Sequence, residues 1–153
     1  MNETPQITQV EAQPAAVIPI TIPRAQIAEV MGPGITELMS VLAAQGITPT
    51  GPWFSHHLKV YPDIFDFEIG VPVPGAVADS GRVRPGRLPA ATVARTVYQG
   101  GYEGLGEAWG EFDAWLSANG HATAPDFWEV YAVGPETSED PADWRTELIR
   151  PLA

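Results

Sequence analysis

Apolar residues recur at helical spacing in two segments of the chain. Each segment carries four apolar side chains at positions i, i+4, i+7 and i+11, which line one face of an α-helix. The two sets are Met31, Ile35, Leu38 and Leu42, and Leu105, Trp109, Phe112 and Leu116. A glycine suited to a helix C-terminus follows each set, Gly46 and Gly120. The pattern predicts helices over about 24–45 and 103–118, with Trp109 and Phe112 in the core.

Apolar runs outside these helices predict strands. The predicted strands are 6–12, 15–22, 53–60, 64–72, 89–98, 126–133 and 145–150, with a short strand near 82–84. Short links between strands favour antiparallel pairing with the helices on one face, so we expect an α+β fold. Within the first helix we expect Gly32-Pro33-Gly34 to cause a kink or a break, because proline removes a backbone donor and clashes with the preceding turn.

The two halves of the chain repeat the same order of features. In each half, a helix stripe and its glycine are followed by a strand that reads Glu, apolar, any, any, Pro, apolar, at 68–73 and at 147–152. We interpret the chain as one domain over 1–153, built from repeats at about 6–73 and about 89–153 with a linker at about 74–88. The alternative is that any two amphipathic α/β units look alike at this level of detail.

The charge balance narrows the class of ligand. The 153 residues include 19 acidic and 8 basic side chains, which gives a formal net charge of −11. Nucleic-acid binding needs clustered Lys and Arg, so the composition argues against a direct nucleic-acid partner. An acidic surface suits a cationic or neutral ligand, although the same charge also simply keeps a protein soluble.

Several kinds of site are excluded by what the sequence lacks. The chain has no cysteine, which excludes disulfides, thiolate metal sites and a cysteine nucleophile. Its three histidines, His56, His57 and His121, do not suggest a metal site, and no nucleotide-binding or hydrolase motif is present, so we expect no metal and no cofactor. Because no apolar stretch approaches the ~20 residues of a membrane span and no secretory signal is visible, we expect a cytoplasmic protein.

Strand alternation predicts a mixed aromatic and carboxylate surface on one face of the sheet. We expect that face to carry Trp53, His57, Glu68, Phe127, Tyr131 and Glu147. The apolar residues expected on the other face, against the helices, are Phe65, Phe67, Ile69, Val71, Trp128, Val130 and Ala132. Aromatic rings hold flat or cationic molecules, and a partly buried carboxylate selects a positive charge. A register slip of one residue would exchange the two faces.

An ordered set of segments resembles one known family. The segments are 51–54, 67–73, 92–109, 128–131, 134–135, 144–148 and 151–152, and they contain Gly51-Pro52-Trp53-Phe54, Gly100-Gly101-Tyr102, Trp128-Glu129-Val130-Tyr131 and Trp144-Arg145-Thr146-Glu147. Together they resemble the GyrI-like small-molecule-binding domains over nearly the whole chain. The resemblance implies two βαββ-type repeats related by a pseudo-two-fold axis, with a ligand in the central cleft. It also implies an acidic pocket residue at Glu147 with aromatic neighbours such as Tyr131.

Three functions follow from the residues and the resemblance, and they stay open at this point. The first is a stand-alone sensor or sequestering protein for lipophilic, aromatic or cationic small molecules, since we expect no DNA-binding module in this chain. The second is a hydrolase of reactive cyclopropane-type toxins, in which Glu147 would be the general base and Tyr131 a proton donor. The third is a protein-interaction module, such as a gyrase inhibitor.

Overall fold

The structure, a computed structural model, describes residues 4–60, 62–75, 77–134 and 137–153. The strands of this part of the chain are β1 Gln6–Val10, β2 Gln13–Pro23, β3 Phe54–Val60, β4 Ile64–Pro72, β5 Arg84–Leu88, β6 Ala91–Gln99, β7 Phe127–Val133 and β8 Arg145–Pro151. The helices are α1 Ile27–Ala44 and α2 Leu105–Ala118, with short 3-10 turns at Arg24–Gln26, Tyr102–Gly104 and Pro141–Asp143. Both helices predicted from the apolar stripes are confirmed.

All the strands pair antiparallel in one sheet of order β1-β6-β8-β7-β3-β4-β2-β5. If each of β1 to β4 is exchanged with its counterpart among β5 to β8, the result is the same strand order read from the opposite edge of the sheet. The two halves of the chain therefore occupy equivalent places in the sheet. The halves meet at the β3–β7 pair in the middle of the sheet. The sheet curls into a half-barrel, and the predicted α+β class is confirmed.

Both helices lie on the same face of the sheet, which we call the helix face. α1 packs on the side chains of β2 and β4 through Leu38 and Leu42, and α2 packs on β6 and β8 through Phe112 and Leu116. The opposite face, the far face, has an apolar core of its own. Its members are Ala15, Val17, Phe54, Leu88, Val93, Trp128 and Ile149. The sheet therefore buries apolar side chains on both faces.

Because the sheet buries apolar side chains on both faces, the predicted orientation of β7 is wrong. Trp128 and Val130 were expected under the helices, but their cross-strand partners are His56 and Phe54, which places them on the far face. Ala132 lies at an irregularity between Tyr131 and Val133 and is exposed. When both faces of a strand are apolar, alternation separates two sets of residues but does not say which set meets the helices.

α1 is continuous through Pro33, so of the two outcomes expected there, a kink or a break, the break is wrong. Pro33 leaves the carbonyl of Glu29 without its helical donor, but both residues are exposed and water can reach that oxygen. Gly34, next in the chain, faces the sheet: a Cβ there would stand 2.7 Å from Ile69 Cδ1. The glycine allows the helix to approach the sheet closely at this point.

Replacing Pro33 by Ala should stabilise the fold. Proline inside a helix costs up to ~3 kcal/mol relative to alanine, so we expect the free energy of unfolding to rise by about 1–3 kcal/mol. Urea denaturation of Pro33→Ala measures this change. Pro74→Ala, in an exposed loop, is the control and should be neutral or slightly destabilising. Equal effects of the two substitutions would contradict the prediction.

Within the described part of the chain, the helices are too short or too polar to cross a membrane.

Candidate functional site

The candidate site lies on the helix face, at the two middle strands of the sheet. α1 packs on β2 and β4 and α2 packs on β6 and β8, so β3 and β7 lie between the helices, and we call the side chains of these two strands on the helix face the cleft floor. The side chains of the floor are Trp53, Ser55 and His57 before and along β3, and Phe127, Glu129 and Tyr131 along β7. In this register Ser55 stands opposite Glu129 and His57 opposite Phe127. The floor therefore mixes aromatic rings with one carboxylate.

Glu129 is buried at the centre of this floor, with 9% of its surface exposed. One carboxylate oxygen, Oε1, accepts the hydroxyl proton of Tyr131 at 2.7 Å, and Oε2 accepts Nε1–H of Trp109 at 2.6 Å. Burial raises the pKa of Glu129 above its ordinary value, and the two hydrogen bonds oppose that rise. No salt bridge to Glu129 is formed by any residue the structure describes. Both donors that the described part of the chain gives this carboxylate are neutral.

Ser55 and His57 extend the hydrogen bonds of Tyr131. Ser55 Oγ lies 2.7 Å from the Tyr131 hydroxyl and 3.3 Å from Nε2 of His57. Burial, reinforced by the nearby charge of Glu129, raises the pKa of Tyr131 well above its ordinary value. Tyr131 therefore remains a phenol and donates its proton to Glu129.

Aromatic rings surround the Tyr131 end of the floor. Trp53 lies against Tyr131 with ring centroids 4.2 Å apart, Tyr102 meets Tyr131 edge-on at 5.8 Å, and Trp144 lies 4.9 Å from Tyr102. Tyr102 follows a turn anchored by the Tyr98 hydroxyl, which donates to the carbonyl of Gly101. Together these rings provide flat apolar surfaces beside the buried carboxylate.

A second group of rings lies at the other end of the floor. His57 stacks between Phe67 and Phe127, with centroid distances of 4.9 and 4.7 Å and nearly parallel planes. Trp109 from α2 meets Phe127 at 4.7 Å, edge to face. Trp109 was predicted to be a core residue, but it also reaches Glu129, so it belongs to the site.

A cavity of about 630 Å³ opens along α1 beside Trp53. Its lining is mostly apolar and includes Ile35, Met39 and Val71 as well as Trp53. Met39 is unusual for an apolar residue because 42% of it is exposed. A flexible methionine at the mouth of a cavity adapts to ligands of different shape.

The structure separates the six predicted site residues into two groups. Trp53, His57, Phe127 and Tyr131 lie together on the floor of the cleft. Glu68 and Glu147 pair across the sheet with His56 and Val130, and both therefore lie on the far face. The prediction that the six share one face is wrong, because the ring-bearing residues of β3 and β7 were assigned to the side away from the helices, where only the two glutamates lie.

The two glutamates on the far face have their own surroundings. Glu147 is paired with Arg95, whose Nη2 lies 2.5 Å from Oε1, and it lines a separate cavity of about 570 Å³ on that face. Burial raises the pKa of Glu68, and the neighbouring His56 opposes the rise. His56 itself contacts Asp126 at 2.8 Å. Glu147 and Tyr131, the predicted catalytic pair, thus lie on opposite sides of the sheet.

Four residues of the candidate site were not singled out from the sequence: Glu129, Trp109, Ser55 and Tyr102. The signal for Glu129 was its period-two spacing between Phe127 and Tyr131, which puts all three on one face. Ser55 has the same relation to Trp53 and His57. Trp109 and Tyr102 depend on tertiary contacts of α2, and nothing local to them in the sequence indicates a site.

In the described residues no group of three or more His, Cys, Asp or Glu side chains is placed to hold a metal ion.

The buried Glu129 should make stability depend on pH in a definite direction. A carboxyl group whose pKa is higher in the folded state favours folding below its unfolded pKa, and that contribution is lost as pH rises through the folded pKa. Wild-type protein should therefore lose thermal stability relative to Glu129→Gln as pH rises above the ordinary glutamate range. Melting temperatures of both proteins, measured from about pH 4 to about pH 8, give this difference in stability. A constant difference across the range would contradict the burial of an ionisable Glu129.

Comparison with known proteins places this architecture among ligand-binding domains. A family model described as GyrI-like small molecule binding domain matches residues 3–153. The search of curated proteins gives no match.

Solved structures share the fold at low sequence identity. The EcmrR C-terminal domain is 21% identical with a TM-score of 0.84, over 98% of this chain and 97% of that one. In the EcmrR–DNA complex the match covers 97% of this chain but 57% of the EcmrR chain, at 22% identity and a TM-score of 0.85. SAV2435 bound to tetraphenylphosphonium is 15% identical with a TM-score of 0.68, over 99% and 94% of the two chains. A hydrolase from Listeria innocua is 12% identical with a TM-score of 0.70, over 97% and 91%.

Proposed function

This chain belongs to the GyrI-like small molecule binding domain family, and from that premise we propose that it binds lipophilic cations with aromatic groups in the cleft between α1 and α2. Glu129 is the group that recognises the positive charge, and the rings of Trp53, Tyr131 and Tyr102 hold the apolar part. The observation that carries the proposal is the burial of Glu129 between two neutral donors.

A buried carboxylate without a protein cation is costly in an empty site. Desolvation opposes its ionised form, and neutral hydrogen bonds offset only part of that cost. A bound cation would supply the missing opposite charge inside a low-dielectric cleft, where the attraction is strong. The site is therefore better matched to a cationic ligand than to a neutral one.

The aromatic rings favour a ligand with flat or spherical apolar groups. Rings at the edge and face of Tyr131 offer both stacking and cation–π contacts within reach of Glu129. SAV2435, which shares the fold, is bound to tetraphenylphosphonium, a cation of this chemistry. The cavity beside Trp53 is of the size that drug-like ligands occupy.

We propose a cytoplasmic role in sensing or sequestering such molecules. The EcmrR chain that was solved with DNA is longer, and the match covers 57% of it. Sequestration needs no partner, because tight binding alone lowers the free ligand concentration.

Titration calorimetry with tetraphenylphosphonium tests the proposal, with triphenylphosphine oxide as a neutral analogue of similar shape. We expect the cation to bind and the neutral analogue to bind at least about tenfold more weakly, since loss of a desolvated charge pair costs more than ~1.4 kcal/mol. The recovered ligand should have unchanged mass. Equal affinity for the two compounds would mean that Glu129 does not recognise charge.

Hydrolysis is a second candidate because Tyr131 donates directly to Glu129 on the cleft floor. In that reaction Glu129, rather than Glu147, would take a proton from water while the water oxygen attacks a cyclopropane carbon and a ring bond to that carbon breaks. The electron pair of the broken bond then accepts the proton, so the product gains one water in total. Recovery of a reactive cyclopropane substrate with the mass of one added water, lost in Glu129→Gln, would favour the enzyme over the binding protein.

A further inference from the structure

The two repeats of the chain correspond residue by residue in the segments between each helix and the next strands. The amide of Thr50, which follows α1, donates to the carbonyl of Pro72 at 2.9 Å. The amide of Ala124, which follows α2, donates to the carbonyl of Pro151 at the same distance of 2.9 Å. These bonds make Ala124 the counterpart of Thr50 and Pro151 that of Pro72. Other counterparts are found by counting along the chain from these two pairs.

The cavity beside Trp53 has a counterpart beside α2 with different chemistry. Four residues that line the cavity are Met39, Pro49, Trp53 and Val71. Their counterparts in the second repeat are, in the same order, Asp113, Thr123, Phe127 and Arg150. Among the residues of the cavity that the structure describes none is charged, whereas two charged residues stand in the equivalent places beside α2. The two sides of the cleft are therefore built alike but differ in polarity.

Arg150 fills the space that the cavity has in the first repeat. Its guanidinium carbon lies 5.8 Å from the centroid of the Phe127 ring. Nη1 lies 4.0 Å from Oδ1 of Asp113, and Nη2 donates to Oγ1 of Thr123 at 3.4 Å. These three partners are the counterparts of three residues that line the cavity beside α1. The guanidinium therefore stands at the Phe127 end of the floor, where a second cavity would otherwise be.

The positive charge of Arg150 has only weak partners. The side chain of Asp113 is 52% exposed, and an ion pair so close to water contributes little. The buried Nε–H of Arg150 has no acceptor in the part of the chain that the structure describes. A guanidinium that is only 16% exposed usually binds a carboxylate with two of its N–H groups. Arg150 therefore presents both bulk and a poorly neutralised positive charge at the Phe127 end of the floor.

We propose that Arg150 is a specificity-determining residue, which closes the Phe127 end of the floor and confines ligands to the Tyr131 end. The inference rests on the proposed function, because it takes Glu129 as the group that meets the cation. Glu129 lies between Phe127 and Tyr131 along β7. A cation held there can extend an apolar group toward Tyr131 and the cavity beside α1, but a group on its opposite side meets Arg150. The site therefore selects cations whose apolar groups lie on one side of the charge, and a spherical cation binds through the rings on one side only.

Two quaternary ammonium ions that differ by one ring measure this closure. Benzyltrimethylammonium has one benzyl group and dibenzyldimethylammonium has two, and calorimetry gives the ratio of their affinities. For the wild type we expect the second benzyl group to raise affinity by no more than about threefold, because only one end of the floor accepts a ring. Arg150→Val introduces the residue that the first repeat has at this place, and valine suits a strand. It should raise the ratio to at least about tenfold, because the second ring is then buried.

Two further variants separate the bulk of Arg150 from its charge. Arg150→Met keeps a long side chain that fills the space but removes the charge, so the ratio should stay near that of the wild type. Arg87→Val removes the same charge from the exposed edge strand β5, and the ratio should again be that of the wild type. If Arg150→Val leaves the ratio unchanged, or if Arg150→Met raises it as much, Arg150 does not close the floor by filling it and the proposal is overturned.

The failure of this proposal differs from the failure of the proposed function. If the cations bind but the ratio does not respond to Arg150→Val, the closure is overturned and cation binding stands. If neither ammonium ion nor tetraphenylphosphonium binds the wild type, the proposed function fails. NMR with toluene, a neutral ring, then decides the closure. Toluene should shift the methyl signal of Thr123 in Arg150→Val but not in the wild type, and an unmoved signal in the variant would overturn the closure as well.

Discussion

Replacing Glu129 by Gln should weaken binding of tetraphenylphosphonium by about 30-fold to 4,000-fold. Removing one member of a desolvated charge pair costs ~2–5 kcal/mol, and each ~1.4 kcal/mol is a factor of ten in affinity. Glutamine keeps an oxygen that accepts from Trp109 and has an amide N–H that can donate to the Tyr131 oxygen, so both hydrogen-bond contacts of this position are retained. The loss of affinity therefore reports the charge and not a collapse of the floor.

Glu147→Gln is the matched control because it makes the same chemical change on the other side of the sheet. Glu147 is already paired with Arg95, and it lies on the far face away from the cleft. We expect its affinity for the cation to remain within about twofold of wild type, as for surface changes away from a site. Calorimetry at a pH where wild-type Glu129 is ionised compares the three proteins. A larger loss in Glu147→Gln than in Glu129→Gln would place the ligand on the far face.

The helices and most strands could be predicted because each has a local signal. The apolar stripe that ends at Leu42 and the one that ends at Leu116 are both buried against the sheet. β5 was harder to recognise because Pro85 and Gly86 disfavour a strand. β5 lies within the segment predicted as a linker. Its proline and glycine are tolerated because β5 is the last strand at one edge of the sheet.

The candidate site could be predicted only in part, because the sequence does not identify the face of β7 that meets the cleft. β7 reads Phe, Trp, Glu, Val, Tyr, Ala, Val, so both faces carry large apolar groups. Choosing Trp128 for the helix face grouped Phe127 and Tyr131 with Glu68 and Glu147, which lie on the far face. The orientation of β7 is decided by the packing of its far face against strands distant in the sequence, such as β2. The sequence of β7 itself does not indicate that contact.

The far-face core gives the prediction with the largest effect on stability. Trp128→Ala should lower the free energy of unfolding by about 3–5 kcal/mol, the usual cost of emptying a buried tryptophan site. Trp128 is 2% exposed, belongs to one core with Phe54 and Ile149, and meets His56 edge-on at 5.4 Å. Urea denaturation followed by circular dichroism measures the change.

Trp109→Phe is the contrasting variant because Trp109 lies on the cleft side of the sheet. It is partly exposed and its ring nitrogen donates to Glu129, so we expect weaker cation binding with a smaller loss of stability than in Trp128→Ala. The folded fraction of Trp128→Ala should bind the cation as wild type does, since the tryptophan and the ligand lie on opposite faces. If Trp128→Ala cost less than about 1 kcal/mol, or if it impaired binding more than Trp109→Phe, the assignment of the two faces would be wrong.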